Sequence, residues 1–284
     1  MWKQKILKLL AFNQIDFVST ENQSIFELFF LPEHQLYLHF IDLSTFQEKE
    51  IPINYFKDFS DKLNAQNQRI IHLWEDVYLE KPELVTSRIL AMIGRFTRLH
   101  ARHCIIERID KPTADKFLEV NHLQGSVKAK FKYGLLLKAQ YTERFISKVV
   151  CEANDNNLVR TIKPKLIGVA TFSGGRTMKV GERKGSRSYE LIRFATLKGY
   201  VVVGGMDKLL KAFTKEHEPN DIMSYIDRDW SDGRSYLKLG FLKINTLSPQ
   251  CFMLDEMAQQ RLMTNGNNVE MVNAGSIKFL KILR

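Results

Sequence analysis

Residues 187–241, RSYELIRFATLKGYVVVGGMDKLLKAFTKEHEPNDIMSYIDRDWSDGRSYLKLGF, carry the pattern that decides the fold class. Residues 187–195 and 200–204 are strand-length runs rich in β-branched and aromatic side chains, and Gly204-Gly205 follows them directly. Residues 206–216 read as a helix, 222–227 as a strand again, and 233–241 as a short helix closing on Gly240-Phe241. Strand, strand, Gly-Gly, helix, strand, short helix is an α/β order. Backbone N–H groups at a helix N-terminus after such a glycine pair point outward and can hold a phosphate or pyrophosphate. A plain tight turn needing positive φ would use the same two residues.

Outward from this stretch, residues 251–255 and 276–283 read as terminal strands. Upstream lie strands over 105–109, 133–138 and 166–173, and a helix over 113–121 with Thr113 as its expected N-cap. The first hundred residues show a hairpin pattern, 25–31 and 36–43 about Pro32-Glu33-His34. A helix over 53–67 follows, with Ile53, Phe56, Phe59 and Leu63 on one face, then a strand over 69–75 and a helix over 82–94 opened by Pro82. The sequence therefore predicts two α/β domains, 1–98 and 99–284.

Composition narrows the classes. At 44% hydrophobic and 26% charged, the chain is neither disordered nor low-complexity. No apolar run reaches membrane-spanning length, the N-terminus reads as an amphipathic helix, and three well-separated cysteines fit neither a disulfide framework nor a zinc knuckle. These features predict a reduced, cytoplasmic protein with no metal site. Charge is uneven: residues 1–100 carry 11 Lys/Arg against 13 Asp/Glu, residues 101–284 carry 31 against 19. Such an asymmetry points the second half at a polyanion, of which nucleic acid is the commonest. The basic stretch 176–187 concentrates it, with Arg176, Lys179, Arg183, Lys184 and Arg187 on what reads as a flexible glycine-punctuated loop able to track phosphates.

The run Tyr236, Lys238, Gly240, Phe241 after strand 222–227 resembles the end of the GCN5-related acetyltransferase (GNAT) core. That resemblance implies acetyl-CoA as cofactor, with its pyrophosphate at Gly204 and Gly205. The family's Q/R-x-x-G-x-G/A loop is replaced here by Val203-Gly204-Gly205-Met206. Residues 117–125, 188–195, 203–213 and 223–241 together resemble the C-terminal region of phage homing-endonuclease-like proteins, in which a Vsr-like (PD-(D/E)XK-type) nuclease domain comes first. Residues 69–94, RIIHLWEDVYLEKPELVTSRILAMIG, resemble the tail of that nuclease domain. Its metal chemistry needs carboxylates on adjacent strands. Here Glu27 is followed by Phe29 where Asp belongs, and His39 stands where the second carboxylate belongs, so the resemblance implies a degenerate nuclease domain.

A more distant similarity, to Mom-type DNA-modifying proteins, nominates His122, Ser173, Tyr225 and Asp227 as a catalytic set. His122 suits general-base work or a helix C-cap; Asp227 suits a site or an Asx turn. Trp230 reads as a base-stacking ring or a lid on the core. Three functions stay open: a nucleic-acid-associated protein of phage or mobile-element machinery with a lost nuclease site and an acyltransferase-like domain contacting DNA; a nucleobase-modifying acyltransferase; and an active homing-type nuclease, disfavoured by Phe29 and His39.

Overall fold

A computed structural model of the 284-residue chain describes residues 1–20, 23–142, 164–179, 181, 183–255, 260–264 and 269–283. The chain forms two compact units that are not consecutive: residues 1–86 with 224–281, and residues 87–223 with 282–284. The sequence places a single boundary near 98; the chain instead returns to its first unit at Ser224.

In the first unit, helix α1 (Trp2–Phe12) buries Trp2, Ile6 and Leu10, an i, i+4, i+8 stripe. Strands β1 (Val18–Ser19), β2 (Glu27–Leu31) and β3 (Leu36–Ile41) follow, and β2 with β3 forms the expected antiparallel hairpin around a tight turn at Pro32–His34. Helices α2 (Leu43–Glu48) and α3 (Tyr55–Ala65) lead to β4 (Arg69–Trp74), which lies parallel to β3 in a sheet of order β1-β2-β3-β4. Every residue of β3 is buried, the mark of a strand covered on both faces. Ile53, expected on the face of α3, precedes that helix and is 52% exposed; Phe56, Ser60 and Leu63 supply the buried face. Helices α4 (Glu75–Glu80) and α5 (Pro82–Met92) close this segment.

The second unit runs through β5 (Thr97–His100), β6 (Cys104–Arg108), α6 (Lys111–Asn121), β7 (Phe131–Leu137), β8 (Lys165–Phe172), β9 (Arg176–Thr177), β10 (Arg187–Thr196), β11 (Tyr200–Val203) and α7 (Gly205–His217) to the start of β12 (Asp221–Asp227). Strands β6, β7, β8 and β10 are antiparallel neighbours in that order. β10 and β12 run parallel over the pairs Ser188–Asp221, Tyr189–Ile222 and Glu190–Met223. β10 then shifts register between Leu191 and Arg193, and Arg193–Thr196 stays paired with β8. The cap of α6 is Asp110, whose carboxylate accepts the Thr113 N–H at 2.9 Å; Thr113, the expected cap, sits within the first turn. Ala114, Phe117 and Leu118 of α6 pack on Val169 and Ala195, while Phe213 of α7 stacks on Phe172 at 3.9 Å. Cys151 lies outside the described residues.

The chain then completes the first unit with α8 (Arg234–Lys238), β13 (Leu242–Leu247), β14 (Cys251–Asp255), β15 (Gln260–Met263), β16 (Met271–Val272) and β17 (Ser276–Ile282). The helix expected over 233–241 is shorter: Gly233 (φ 81) precedes it, where a Cβ would stand 2.4 Å from the Phe279 ring, and the helix stops at Lys238 ahead of left-handed Gly240 (φ 78). Met271, Val272 and Ala274 join Phe26, Ile41, Phe46, Phe56 and Trp74 in one buried cluster. That shared core is the physical reason the first unit is discontinuous: neither segment buries its apolar face alone.

Candidate functional site

The strand-to-helix turn of the second unit is built by two glycines with different duties. Gly204 holds φ 74, ψ 6 as the residue before α7, a left-handed backbone that favours glycine. A Cβ on Gly205 would stand 3.1 Å from Val202 Cβ and 3.2 Å from Leu135 Cδ2, so a side chain there would push those neighbours aside. No side chain caps α7, so its first-turn N–H groups keep their capacity to donate. The acid in that turn, Asp207, is paired with Lys211 at 2.7 Å. Lys208 donates to the carbonyls of Ala101 (2.9 Å) and Cys104 (2.5 Å), pinning α7 to the β5–β6 connection.

The four candidate catalytic residues are divided: His122 and Ser173 belong to the second unit, Tyr225 and Asp227 to the first. His122 follows the last turn of α6, and its Nδ1 accepts the Gln124 N–H at 3.2 Å. Ser173 Oγ accepts the Glu190 N–H at 2.9 Å and donates to Gly174 O at 3.0 Å, finishing the β8–β10 ladder. Asp227 Oδ1 accepts the Asp229 N–H at 2.9 Å, an Asx turn. Tyr225 is 39% exposed, with Lys278 Nζ 5.8 Å from its ring centre. Trp230 is buried and lids the core.

The ends of the basic stretch are paired. Thr177 pairs with Arg187 and Arg176 with Ser188, and the Met178 N–H to Ser186 O and Gly185 N–H to Met178 O bonds (both 2.9 Å) close it. Arg183 is an anchor: its Nη1 meets Asp221 at 2.8 Å, and Asp221 is 1% exposed and also accepts from Ser188 Oγ. Arg176, Lys179, Lys184 and Arg187 are exposed. The Arg187 guanidinium lies 5.3 Å from the Tyr189 ring centre.

One constellation of the second unit escaped sequence reading. Tyr133 OH lies 2.6 Å from Glu216 Oε2, 2.9 Å from Arg108 Nη1 and 3.0 Å from His217 Nε2. Arg108 also reaches Glu216 Oε1 at 2.9 Å. Burial, then the hydrogen bond to Glu216, pushes the Tyr133 hydroxyl up to about 12, so it is a donor throughout the neutral range. Burial lowers His217 below the ordinary imidazole value against the pull of Glu216, and Arg108, Arg187 and Lys130 push the same way as burial. The residues come from β6, β7 and the last turn of α7, and no local pattern in the sequence links them.

In the first unit, His39 is part of a buried hydrogen-bonded file. His39 and His72 are register partners on β3 and β4, both 0% exposed, with their Nδ1 atoms 2.9 Å apart. His39 Nε2 meets Ser24 Oγ at 2.7 Å and His72 Nε2 meets Ser60 Oγ at 2.9 Å; Tyr55 OH lies 2.9 Å from Ser24 Oγ. The Nδ1–Nδ1 contact holds one proton, and with burial keeping both rings neutral they take complementary tautomers. Burial drives His39 well below its ordinary value, and burial with the nearby Arg228 charge lowers His72 to about 3. Phe29 packs edge-on against Phe17 and Phe40, and Glu27 pairs with Lys3 at 2.6 Å. Asp76 holds Arg261 through two bonds of 2.6 and 2.8 Å. Among the described residues, no three His, Cys, Asp or Glu side chains gather as metal donors, and no helix is long and apolar enough to cross a membrane.

No protein-family model matches the chain, and no curated protein matches it in sequence. Among solved structures it is similar to an acetyltransferase from Bacillus subtilis in complex with CoA, at 13% identity and TM-score 0.36 over 64% of this chain and 99% of that one. It is similar to Arabidopsis thaliana NAA60 in complex with acetyl-CoA, at 11% identity and TM-score 0.37 over 63% and 98%. A KacTA–DNA complex matches at 18% identity and TM-score 0.28 over 62% and 91%. At these scores the likenesses assign no activity.

Proposed function

We propose that this is a nucleic-acid-associated, acetyltransferase-like protein whose second unit takes a CoA compound at the start of α7. The observation that carries the reading is the uncapped first turn of α7 behind left-handed Gly204, at the position where the GNAT-like sequence pattern sets a pyrophosphate. The site fits such a group: a Cβ on Gly204 would find only Ala101 Cβ, at 3.6 Å, and Asp207, the acid in the turn, is neutralised by Lys211. A bound acyl-CoA supplies an acyl group activated as a thioester. First-turn N–H groups would hold its pyrophosphate, and Lys208, already committed to two carbonyls, keeps the turn in place.

In the same reading the first unit is a Vsr-like domain of mobile-element origin that has lost its metal site. Phe29 packed among aromatics and His39 locked to His72 support this. A thermal-shift titration with acetyl-CoA tests the main reading: stabilisation of several degrees supports it, and a flat response rejects CoA binding. Magnesium- or manganese-dependent cleavage of DNA that disappears in Glu27→Ala would reject the lost-site reading.

A further inference from the structure

We propose that the face of the second unit around His217, Phe131 and the Gly174-Gly175 pair binds the phosphodiester backbone of a nucleic acid. This rests on the nucleic-acid half of the reading above and is independent of its CoA half. The first observation is unbalanced charge. The Arg108 guanidinium carbon lies 5.0 Å and Lys130 Nζ 5.5 Å from the centre of the Phe131 ring, and the His217 ring lies 4.1 Å from that same centre. Arg187 covers the neighbouring ring, Tyr189, at 5.3 Å, and Tyr189 lies 6.0 Å from His217. Three permanent cations thus surround one imidazole, and the carboxylate that bears on it is Glu216, already bonded to Arg108 and Tyr133. Like charges gathered on one surface repel one another, and an anion laid among them removes that cost.

Shape is the second observation. Gly174 and Gly175 run between Lys130 and Arg187: a Cβ on Gly174 would stand 3.4 Å from Lys130 Cδ, and one on Gly175 3.0 Å from Arg187 Nε and 2.8 Å from Tyr189 OH. The space a side chain would take at Gly175 is filled by Tyr189 and Arg187, so the glycine pair lets these side chains and Lys130 close in on one stretch of main chain and gathers the cations. Beneath it the Tyr189 hydroxyl is fully buried and has no hydrogen-bond partner among the described residues, an unsatisfied polar group under that stretch. Arg176 pairs with Ser188 rather than with Arg187, so strand alternation puts it on the other side of the β9–β10 ladder, outside this face. Arg183, tied to Asp221, is outside this face.

The test is fluorescence anisotropy with a labelled short DNA duplex and the full-length protein across a salt series. Lys130→Gln with Arg187→Gln removes two cations from the face and leaves the Arg108–Glu216 bond intact. Lys111→Gln with Lys116→Gln removes two elsewhere on the unit. The first pair should weaken binding about tenfold or more at low salt and lower the slope of log affinity against log salt by about two, while the second pair moves both far less. Equal weakening by the two pairs, or none by either, overturns the proposal. Binding of the parent protein should also tighten as pH falls from about 8 to about 5, because a phosphate favours the His217 cation amid Glu216, Tyr133, Arg108, Lys130 and Arg187. His217→Gln should abolish that gain, and an unchanged pH profile in it counts against the face. The acetyl-CoA thermal shift should be the same in parent and Lys130/Arg187 variant. A flat CoA response in a parent protein that binds the duplex rejects only the CoA half of the function above; duplex binding that the Lys130/Arg187 pair leaves unchanged rejects only this face.

Discussion

His39 and His72 have no exposed surface, and each ring nitrogen ends in a bond to a serine or to the other ring. His217, in the other unit, keeps 14% of its side chain in solvent and sits among three cations with one carboxylate. Both sites lower the imidazole pKa, chiefly by burial, yet they differ in closure. The first file is complete, so its residues hold strands β3 and β4 in register and offer nothing to a partner. The second is left with surplus charge and a solvent-facing edge. Polar side chains that are buried and satisfied are architecture; those that are half-buried and unbalanced are where a ligand has something to gain.

The sharpest way to break this contrast is truncation. His72→Ala should cost about 3–5 kcal/mol, because it leaves His39 Nδ1 and Ser60 unpaired and opens a cavity, whereas His217→Ala should cost under about 1 kcal/mol. Urea unfolding followed by Trp fluorescence measures both, and equal losses would erase the distinction. Acid is the next probe. The two buried rings have folded-state pKa values below the unfolded value of 6.5, so their contribution is present above pH 6.5 and is lost as pH falls below it. Each proton taken up on unfolding removes roughly 1–1.5 kcal/mol per pH unit. Asp229, raised by burial and by Asp227, works in the other direction: it favours the fold at low pH and loses that contribution as pH rises. His72→Gln should flatten the acid limb of a midpoint-versus-pH curve; an unaltered limb would assign it to other groups.

Smaller effects sharpen the second site. Asp221→Ala strands Arg183 and Ser188 and should cost about 1–2 kcal/mol, a value reduced by the partial exposure of Arg183. Tyr133→Phe should cost about 1 kcal/mol, since Arg108 still reaches Glu216 and His217 without the hydroxyl. An NMR titration of that variant should show His217 still titrating near its parent value; a large change would make the hydroxyl, rather than the charges, its controlling neighbour.

Local pattern was legible where it is sufficient. Alternation plus the Pro32 turn announced the β2–β3 hairpin, and the glycine pair announced the start of α7. It failed where the determinant is distant. The His39–His72 bond exists because two parallel strands settle in one register, and Arg108 meets Glu216 across 108 residues of chain. Arg183 reads as one more phosphate-facing cation because its partner Asp221 comes 38 residues later. Among the sequence-nominated catalytic residues, His122, Ser173 and Asp227 have the short polar or turn-forming character that main-chain geometry also uses, and the structure shows that use.

The discontinuous first unit has a consequence for synthesis. Phe26, Phe56 and Trp74 leave the ribosome well before Met271, Val272 and Ala274, the residues that complete their core. Residues 87–223, by contrast, carry nearly all of their own unit and can finish first. The middle of the chain should therefore mature before its beginning, and nascent chains long enough for residue 223 to have left the ribosome should show the core strands and α7 of the second unit protected while the first 86 residues are still being cut.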